Sequence, residues 1–358
     1  MKILFIARDS GGCGFYRMKQ PSDFLKRSGL GEVQFVLQHP SADQLEWADL
    51  VILQEMGSVN ASNIAEHCKK INKPYAAEID DFLHHVSPHN LGGYGSWNPG
   101  TLYVYRAMEL VRGASALIVS TPQLAREYYP YNKNIFVIPN YLDREKWDNP
   151  KVIRDDDKIR IGWAGGNAHA DDLAMISRAI ERIVKDYGDK VIFETLGMTR
   201  HELTNVFRMD IAEGTCHKCG YAGEIYHHPG VDQNDYPIAL SSLGWDIALA
   251  PVVNNSFGNA KSDLKIKEYS ATGIPIVASN ITPYIEAAKS GAMIYLADSY
   301  DEWYKAMSSL IDNESIRNDL VKANKEWMES RYIQDRIYDI AEVYKQILDM
   351  ASPGWSKK

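Results

Sequence analysis

Twelve short apolar runs constrain the fold of this chain more than any other feature. KILFIA, VQFVL, DLVIL, PYAAEI, ALIVS and IFVIP fall in the first half. KIRIGWA, KVIFETL, EIYHH, WDIALAP, IPIVAS and AMIYL repeat the grammar in the second. Helical patterns lie between most of them, as at Phe24 to Ser28, Ala61 to Ile71 and Leu102 to Arg112. Strands that read as apolar runs are covered on both faces, and intervening helices supply that cover, so the pattern predicts parallel sheets. A chain of 358 residues exceeds one ordinary core and implies two domains. The polar stretch NYLDREKWDNPKVIRDDDK parts the two sets, with a linker near Trp147 to Asp157. Residues 1–150 and 151–330 are therefore expected to form two doubly wound α/β domains. Residues from Asp301 onward are almost all helical in pattern, and 331–358 are expected to return to the first domain and fray at ASPGWSKK. Two such domains facing one another place a ligand crevice between the carboxyl ends of their strands.

Composition narrows the class. Apolar residues make up 45% and charged residues 24%, typical of a soluble globular chain. The net charge of −8 excludes a global basic footprint, so nucleic acid could enter only through a local patch, as a modified-base acceptor. No apolar stretch approaches the roughly 20 residues of a membrane span. The run Ile3 to Ala7 is too short for a signal peptide and reads as a first strand. Cys13, Cys68, Cys216 and Cys219 are too few and scattered for a disulfide framework, which fits a reducing, cytoplasmic setting. CHKCG at Cys216 to Gly220 is half of a zinc ribbon. It needs two more ligands, and His227 and His228 follow at no usual spacing.

The stretch NNSFGNAKSDLKIKEYSATGIPIVAS, Asn254 to Ser279, carries the strongest chemical signal. Ser262 is a suitable N-cap, and Gly273 followed by Pro275 a stop, so a helix is expected over about Asp263 to Thr272. Lys261 and Lys265 then stand at its positive end. Exposed cations there cost roughly 0.3–1 kcal/mol each. A bound anion reverses that sign, because free N–H groups, the dipole and two ammonium groups together make a diphosphate site. Lys261, Lys265 and Glu268 share one face at i, i+4 and i+7, which suits Glu268 to accept from vicinal ribose hydroxyls. The alternative is a solvated face with Lys265 and Glu268 ion-paired.

SFG…LKIKEYSATGIPIVAS resembles the donor-binding signature of GT-B retaining glycosyltransferases, family 4-like, also known as glycosyl transferases group 1. Phe257 and Gly258 match that family's Glu-x-Phe-Gly loop, with Asn255 in place of its first glutamate. Glu268 matches the second glutamate, at a longer spacing than the family shows. The resemblance is specific over Trp245 to Ser279 and weaker around residues 1–21, 139–140 and 160–173. It implies two facing Rossmann-like domains, a donor site in the second, and a C-terminal helix returning to the first. It also implies sugar transfer from a nucleotide-diphosphate sugar with retention, no metal, and no cofactor beyond that co-substrate.

Four further stretches complete the candidate site. RIGWAGGNAHADDL ends a strand in Gly165-Gly166, a backbone nest for phosphate, with Asn167 and His169 beside it; a plain βα turn is the alternative. RDSGGCGFYRMKQP offers Gly12, Gly14 and Arg17 to the cleft. A nicotinamide site is disfavoured there, since Arg17 occupies the third glycine position and QFVLQHP ends without an acidic residue. EIDDFLHHVSPHN places Asp80 and Asp81 at a strand's carboxyl end, suited to sugar or acceptor hydroxyls. A metal site completed by His84 and His85, or simple capping, are the alternatives. NLGGYGSWNPG presents Tyr94 and Trp97 on glycine-rich backbone that suits acceptor stacking, or has no role. Lys261 and Lys265 are expected to take the leaving charge. A non-catalytic nucleotide-sugar binder and a GT-B sugar-nucleotide epimerase are the rival readings. The acceptor is open among glycan, lipid-linked sugar, protein and modified base.

Overall fold

The computed structural model describes residues 1–54, 57–86, 88, 91–149, 152, 154–207, 211–213 and 225–351. The first sheet holds β1 (Lys2–Ala7), β2 (Glu32–Leu37), β3 (Leu50–Gln54), β4 (Tyr75–Ile79), β5 (Ala116–Val119) and β6 (Ile135–Val137). Its order is β2-β1-β3-β4-β5-β6, and every pairing is parallel. The second holds β7 (Ile159–Ala164), β8 (Val191–Gly197), β9 (Ile211–Glu213), β10 (Ile225–Pro229), β11 (Ile247–Ala250), β12 (Ile276–Ser279) and β13 (Tyr295–Ala297). Its order is β13-β12-β11-β7-β8-β10-β9, again all parallel. All twelve apolar runs are strands. The added one, β9, lies on the sheet edge and reads IAE, which is no apolar run.

Each sheet reverses direction beside its first strand. β1 lies between β2 and β3, and β7 between β8 and β11. A reversal leaves a gap at the carboxyl ends of the strands, because successive helices go to opposite faces. The interior strands β1, β3, β4 and β5 are buried almost throughout, as helix-covered parallel strands must be, whereas the edge strand β2 is only half buried. Gly162 in β7 allows a close approach: a Cβ there would lie 1.8 Å from the Trp245 ring.

The last helix, Ile337–Ala351, lies on the first sheet. Ile340, Tyr344 and Ile347 pack with Ile3, Phe5 and Ile52, and the Tyr344 ring meets Phe5 edge-on at 5.7 Å. Helix Tyr300–Asp312 covers the second sheet beside Ala170–Tyr187, joined through Trp303, Met307, Ile176 and Ile180.

Two local expectations are corrected. Leu91–Trp97 is a helix, not glycine-rich loop. Trp97 is buried and meets Tyr103 edge-on at 4.9 Å, and that packing outweighs the entropic cost of its glycines. The helix expected from Asp263 runs Leu264–Ala271, and its N-cap is Asp263 rather than Ser262. The Ser262 hydroxyl instead accepts from Asn140 Nδ2 at 2.9 Å, so a contact across the domains displaces the local cap.

Candidate functional site

A cleft of about 500 Å³ opens between the domains at the carboxyl ends of both sheets. Its second-domain wall is largely backbone. β7 ends at Trp163-Ala164 and continues into Gly165-Gly166, β8 ends in Gly197, and Gly230 follows β10. The glycines pack on one another. Gly165 N donates to Leu196 O at 2.9 Å, and a Cβ on Gly197 would come within 2.9 Å of Gly165 O. Gly197 also holds φ at +107°, a conformation that side chains resist. The rim therefore presents main chain directly to a ligand.

The helix Leu264–Ala271 closes this wall. Tyr269 anchors it to the rim, its hydroxyl accepting from Ala164 N at 3.0 Å. Among the described residues no acceptor takes the N–H groups of Leu264, Lys265 and Ile266, so the first turn keeps unengaged donors. Lys265 Nζ lies 2.9 Å from Glu268 Oε2 and 3.0 Å from the Tyr236 hydroxyl. Tyr236 donates to Glu268 Oε2 at 3.2 Å, and Tyr16 reaches across from the first domain to Glu268 Oε1 at 3.1 Å. Burial lowers the affinity of the Lys265 amine for its proton, but the Glu268 carboxylate more than offsets it and the pKa rises. Burial and the same carboxylate push the phenols of Tyr16 and Tyr236 well above their ordinary value, so both remain proton donors. The Lys265–Glu268 ion pair is thus present, but 3% exposure of the Glu268 side chain rules out a solvated face.

The first-domain wall carries side chains. Gly12 and Tyr16 come from the helical segment after β1, and Asp80 and Asp81 from the end of β4. Asp81 Oδ1 lies 3.3 Å from Lys261 Nζ, which also sits 4.5 Å over the Phe257 ring. Burial raises the Asp81 pKa and Lys261 opposes it. Burial depresses Lys261, but Asp81, Asp172 and Asp80 together raise it. His169 lines the cleft, oriented by Asp172 Oδ2 at 2.8 Å from its Nδ1, while Asp172 Oδ1 accepts from Val253 N.

Several expected residues are engaged elsewhere. Arg17 is buried: its Nε donates to Glu78 Oε1 at 2.6 Å, and one terminal nitrogen to Ile138 O and Asn140 Oδ1. It does not face the cleft, because Glu78 is buried in β4 and needs a cation. Gly14 packs on Asp9, where a Cβ would meet Asp9 O at 1.9 Å. Asn167 accepts from Thr199 N, bracing two rim loops. Asn255 caps the short helix Ser256–Ala260 by accepting from Gly258 N at 2.8 Å, so it does not stand in for a cleft carboxylate. Phe257 packs against the first domain's core and Gly258 is buried. Trp97 is buried and Tyr94 packs on that core, so neither offers a face for stacking on the cleft. His84 and His85 join an aromatic cluster with Phe82 and Tyr128, and burial and then His85 take His84 down to about 4. Among the described residues no three His, Cys, Asp or Glu side chains converge as metal ligands. Cys216 and Cys219 lie outside the described residues, while His227 bonds to Met198 O and His228 to Glu194. Among the described residues no helix is long and apolar enough to cross a membrane.

Sequence reasoning missed Gly197, Gly230, Tyr16 and Tyr236. The glycines left a signal, since KVIFETLG and EIYHHPG both end a strand in glycine as RIGWAGG does. The tyrosines left none, because Tyr16 meets its partner 252 residues away.

No protein-family model matches the chain, and no curated protein matches it in sequence. Solved structures do match it in shape. Sucrose-phosphate synthase from Thermosynechococcus elongatus superposes with a TM-score of 0.66 at 11% identity, covering 98% of this chain and 99% of that one. An E. coli trehalose-6-phosphate protein bound with UDP-2-fluoro glucose gives 0.64 at 11% identity, with 98% and 99% covered. A putative UDP-N-acetylglucosamine 2-epimerase from Listeria monocytogenes gives 0.60 at 13% identity, with 97% and 96% covered. With its two parallel sheets facing across a cleft, this chain has the GT-B fold.

Proposed function

We propose that this protein transfers a sugar from a nucleotide-diphosphate sugar to a hydroxyl-bearing acceptor. The observation that carries this reading is the pairing of Lys265 and Glu268 at a helix start that faces a rim of bare glycine backbone. A diphosphate against Gly165, Gly166 and Gly197 would meet main-chain donors, the helix N-terminus and the Lys265 ammonium together. Glu268 would accept from the ribose hydroxyls, replacing the phenol bonds it now receives. Lys261, just before the same helix, would share the leaving charge. Asp80 and Asp81 would meet hydroxyls of the transferred sugar or the acceptor. The bond from the anomeric carbon to phosphate breaks as the acceptor oxygen attacks, and the leaving phosphate oxygen takes the acceptor proton. That route gives retention and asks for no separate protein base.

Supplying the leaving charge from two ammonium groups implies turnover that survives EDTA. Complete loss restored by manganese would instead assign Asp80 and Asp81 to a metal. A cytoplasmic setting belongs to the same reading, on the cysteine usage alone. The GT-B epimerase reading is favoured by one observation, the full-length likeness to the Listeria protein. Asn255, engaged in helix capping, leaves a non-catalytic binder as the other rival. Incubating the protein with a panel of nucleotide sugars and mixed acceptors separates the three. Release of nucleoside diphosphate that requires an acceptor is the expected result. An isomerised sugar nucleotide without acceptor means epimerase, and binding with neither product means a binder.

A further inference from the structure

A second interdomain cavity, of about 460 Å³, lies on the opposite face of the helix Leu264–Ala271. The cleft takes Lys265 and Glu268 of that helix, whereas this cavity takes Asp263 and Lys267. It sits where the chain crosses between the domains. Pro139 and Tyr141 belong to the outgoing crossing, and Ser330, Arg331 and Arg336 to the returning one. A bridge between Leu142 and Tyr332 pairs the two crossings.

Charge distinguishes this cavity from ordinary surface. Arg126, Lys261, Lys267, Arg331 and Arg336 line it against only Asp263 and Glu286, a surplus of three positive charges. The whole chain carries −8. Lys261, Lys267 and Arg336 already pair with Asp81, Asp263 and Asp339. Arg126 and Arg331 do not: among the described residues no carboxylate lies within 4 Å of either guanidinium. Arg126 donates to Gln123 Oε1, at 2.9 Å. Arg331 is positioned by neutral groups, donating to Trp327 O at 2.5 Å and to Ser330 and Ser290 hydroxyls, and it stacks 4.2 Å over the Trp327 ring. Burial, with Arg336 adding to it against Asp263, pulls Arg331 below its ordinary pKa. A cation held in place beside another cation lacks its anion. Guanidinium groups match phosphate oxygens in planar, two-pronged geometry.

We propose that this cavity is a second binding site, which takes the phosphate group of a small phosphorylated molecule between Arg126 of the first domain and Arg331 and Arg336 of the returning crossing. It is separate from the proposed donor site, sharing only Lys261 with it. A ligand held there touches both domains and resists their opening.

The test is calorimetric titration of the full chain with glucose 6-phosphate and with inorganic phosphate at constant ionic strength, with glucose and sodium chloride as controls. One saturable site for a phosphate-bearing probe is expected. Arg331→Gln should weaken it at least about tenfold and Arg126→Gln about threefold, on the scale of a lost charge-assisted pair. Tighter binding of glucose 6-phosphate than of phosphate would make the ligand a phosphorylated polyol, and equal binding a free phosphate. Arg126 is exposed, so its variant keeps the test open if the Arg331 variant does not fold. Absence of saturable binding, indifference to both arginine variants, or loss in Lys265→Ala alone would overturn the proposal. Failure of the donor reading would show separately, in titrations with nucleoside diphosphates.

Discussion

On the second-domain side the cleft wall is glycine backbone with the ammonium groups of Lys261 and Lys265 beside the Glu268–Tyr236 pair, whereas on the first-domain side its polar side chains are the carboxylates of Asp80 and Asp81 and the phenol of Tyr16. Gly165, Gly166, Gly197 and Gly230 line one rim with main chain, backed by Lys265. Asp80, Asp81 and Tyr16 line the other. The first wall suits a polyanion, since preorganised N–H groups and a half-buried cation need no reorganisation to meet it. The second repels a polyanion and suits neutral hydroxyls. Two parallel α/β domains of different strand order therefore divide the work of one reaction, and the difference lies in the residues that each brings to the carboxyl end of its sheet.

The largest expected effect comes from breaking the anion side. Lys265→Ala should lower kcat/KM about a hundredfold, roughly 2.7 kcal/mol of lost charge stabilisation. Glu268→Gln should cost about tenfold, mainly in donor affinity, because an amide cannot serve both ribose hydroxyls as acceptor. Steady-state kinetics within about threefold of wild type in both variants would remove the donor site from this helix. Asp81→Asn sharpens the contrast from the other side. It should lower kcat about tenfold while donor affinity stays within about threefold. A loss of donor affinity instead would mean that the two walls do not divide the work.

The sheets were legible because parallel strands buried on both faces must be apolar, and nothing else in the chain is apolar for so long without helical spacing. The candidate site was legible where chemistry follows a strand end directly, at Gly165-Gly166 and Asp80-Asp81, and where charge marks a helix start, at Lys265 with Glu268. It was not legible where polar residues answer distant partners. Arg17 looks like a cleft residue in GGCGFYRMKQ, yet it belongs to Glu78, 61 residues on. The hint was the lone acid inside the buried run PYAAEI. Ser262 looks like a cap and is not one, because Asn140 claims its hydroxyl from the other domain, whereas Asn255, which stands where the resembled family has a glutamate, caps a short helix instead.

Two smaller effects probe a contact between the walls and a buried ion pair behind one of them. Tyr16 bonds Glu268 across the cleft, so a ribose must displace it. Tyr16→Phe should tighten donor binding about threefold, consistent with loss of a competing bond worth about 1 kcal/mol; weaker binding would make Tyr16 part of the donor site. Glu78 is raised by burial to about 7, with Arg17 opposing and Asp80 assisting. The folded value lies above the unfolded one, near the ordinary 4.3. The folded state therefore binds the extra proton between those values, and stability falls as pH rises from about 4.3 to about 7. Melting temperature should decline across that window, and Glu78→Gln should flatten the decline; an unchanged slope would place the titration elsewhere.

The most direct test is a thermal-shift panel of nucleoside diphosphates and their sugars, with NAD as control, on wild type, Lys265→Ala and Asp81→Asn. One nucleotide class should raise the melting temperature of wild type and Asp81→Asn, with little or no rise in Lys265→Ala. No shift with any diphosphate beside a shift with NAD, or equal shifts in all three proteins, would contradict an anion site at this helix.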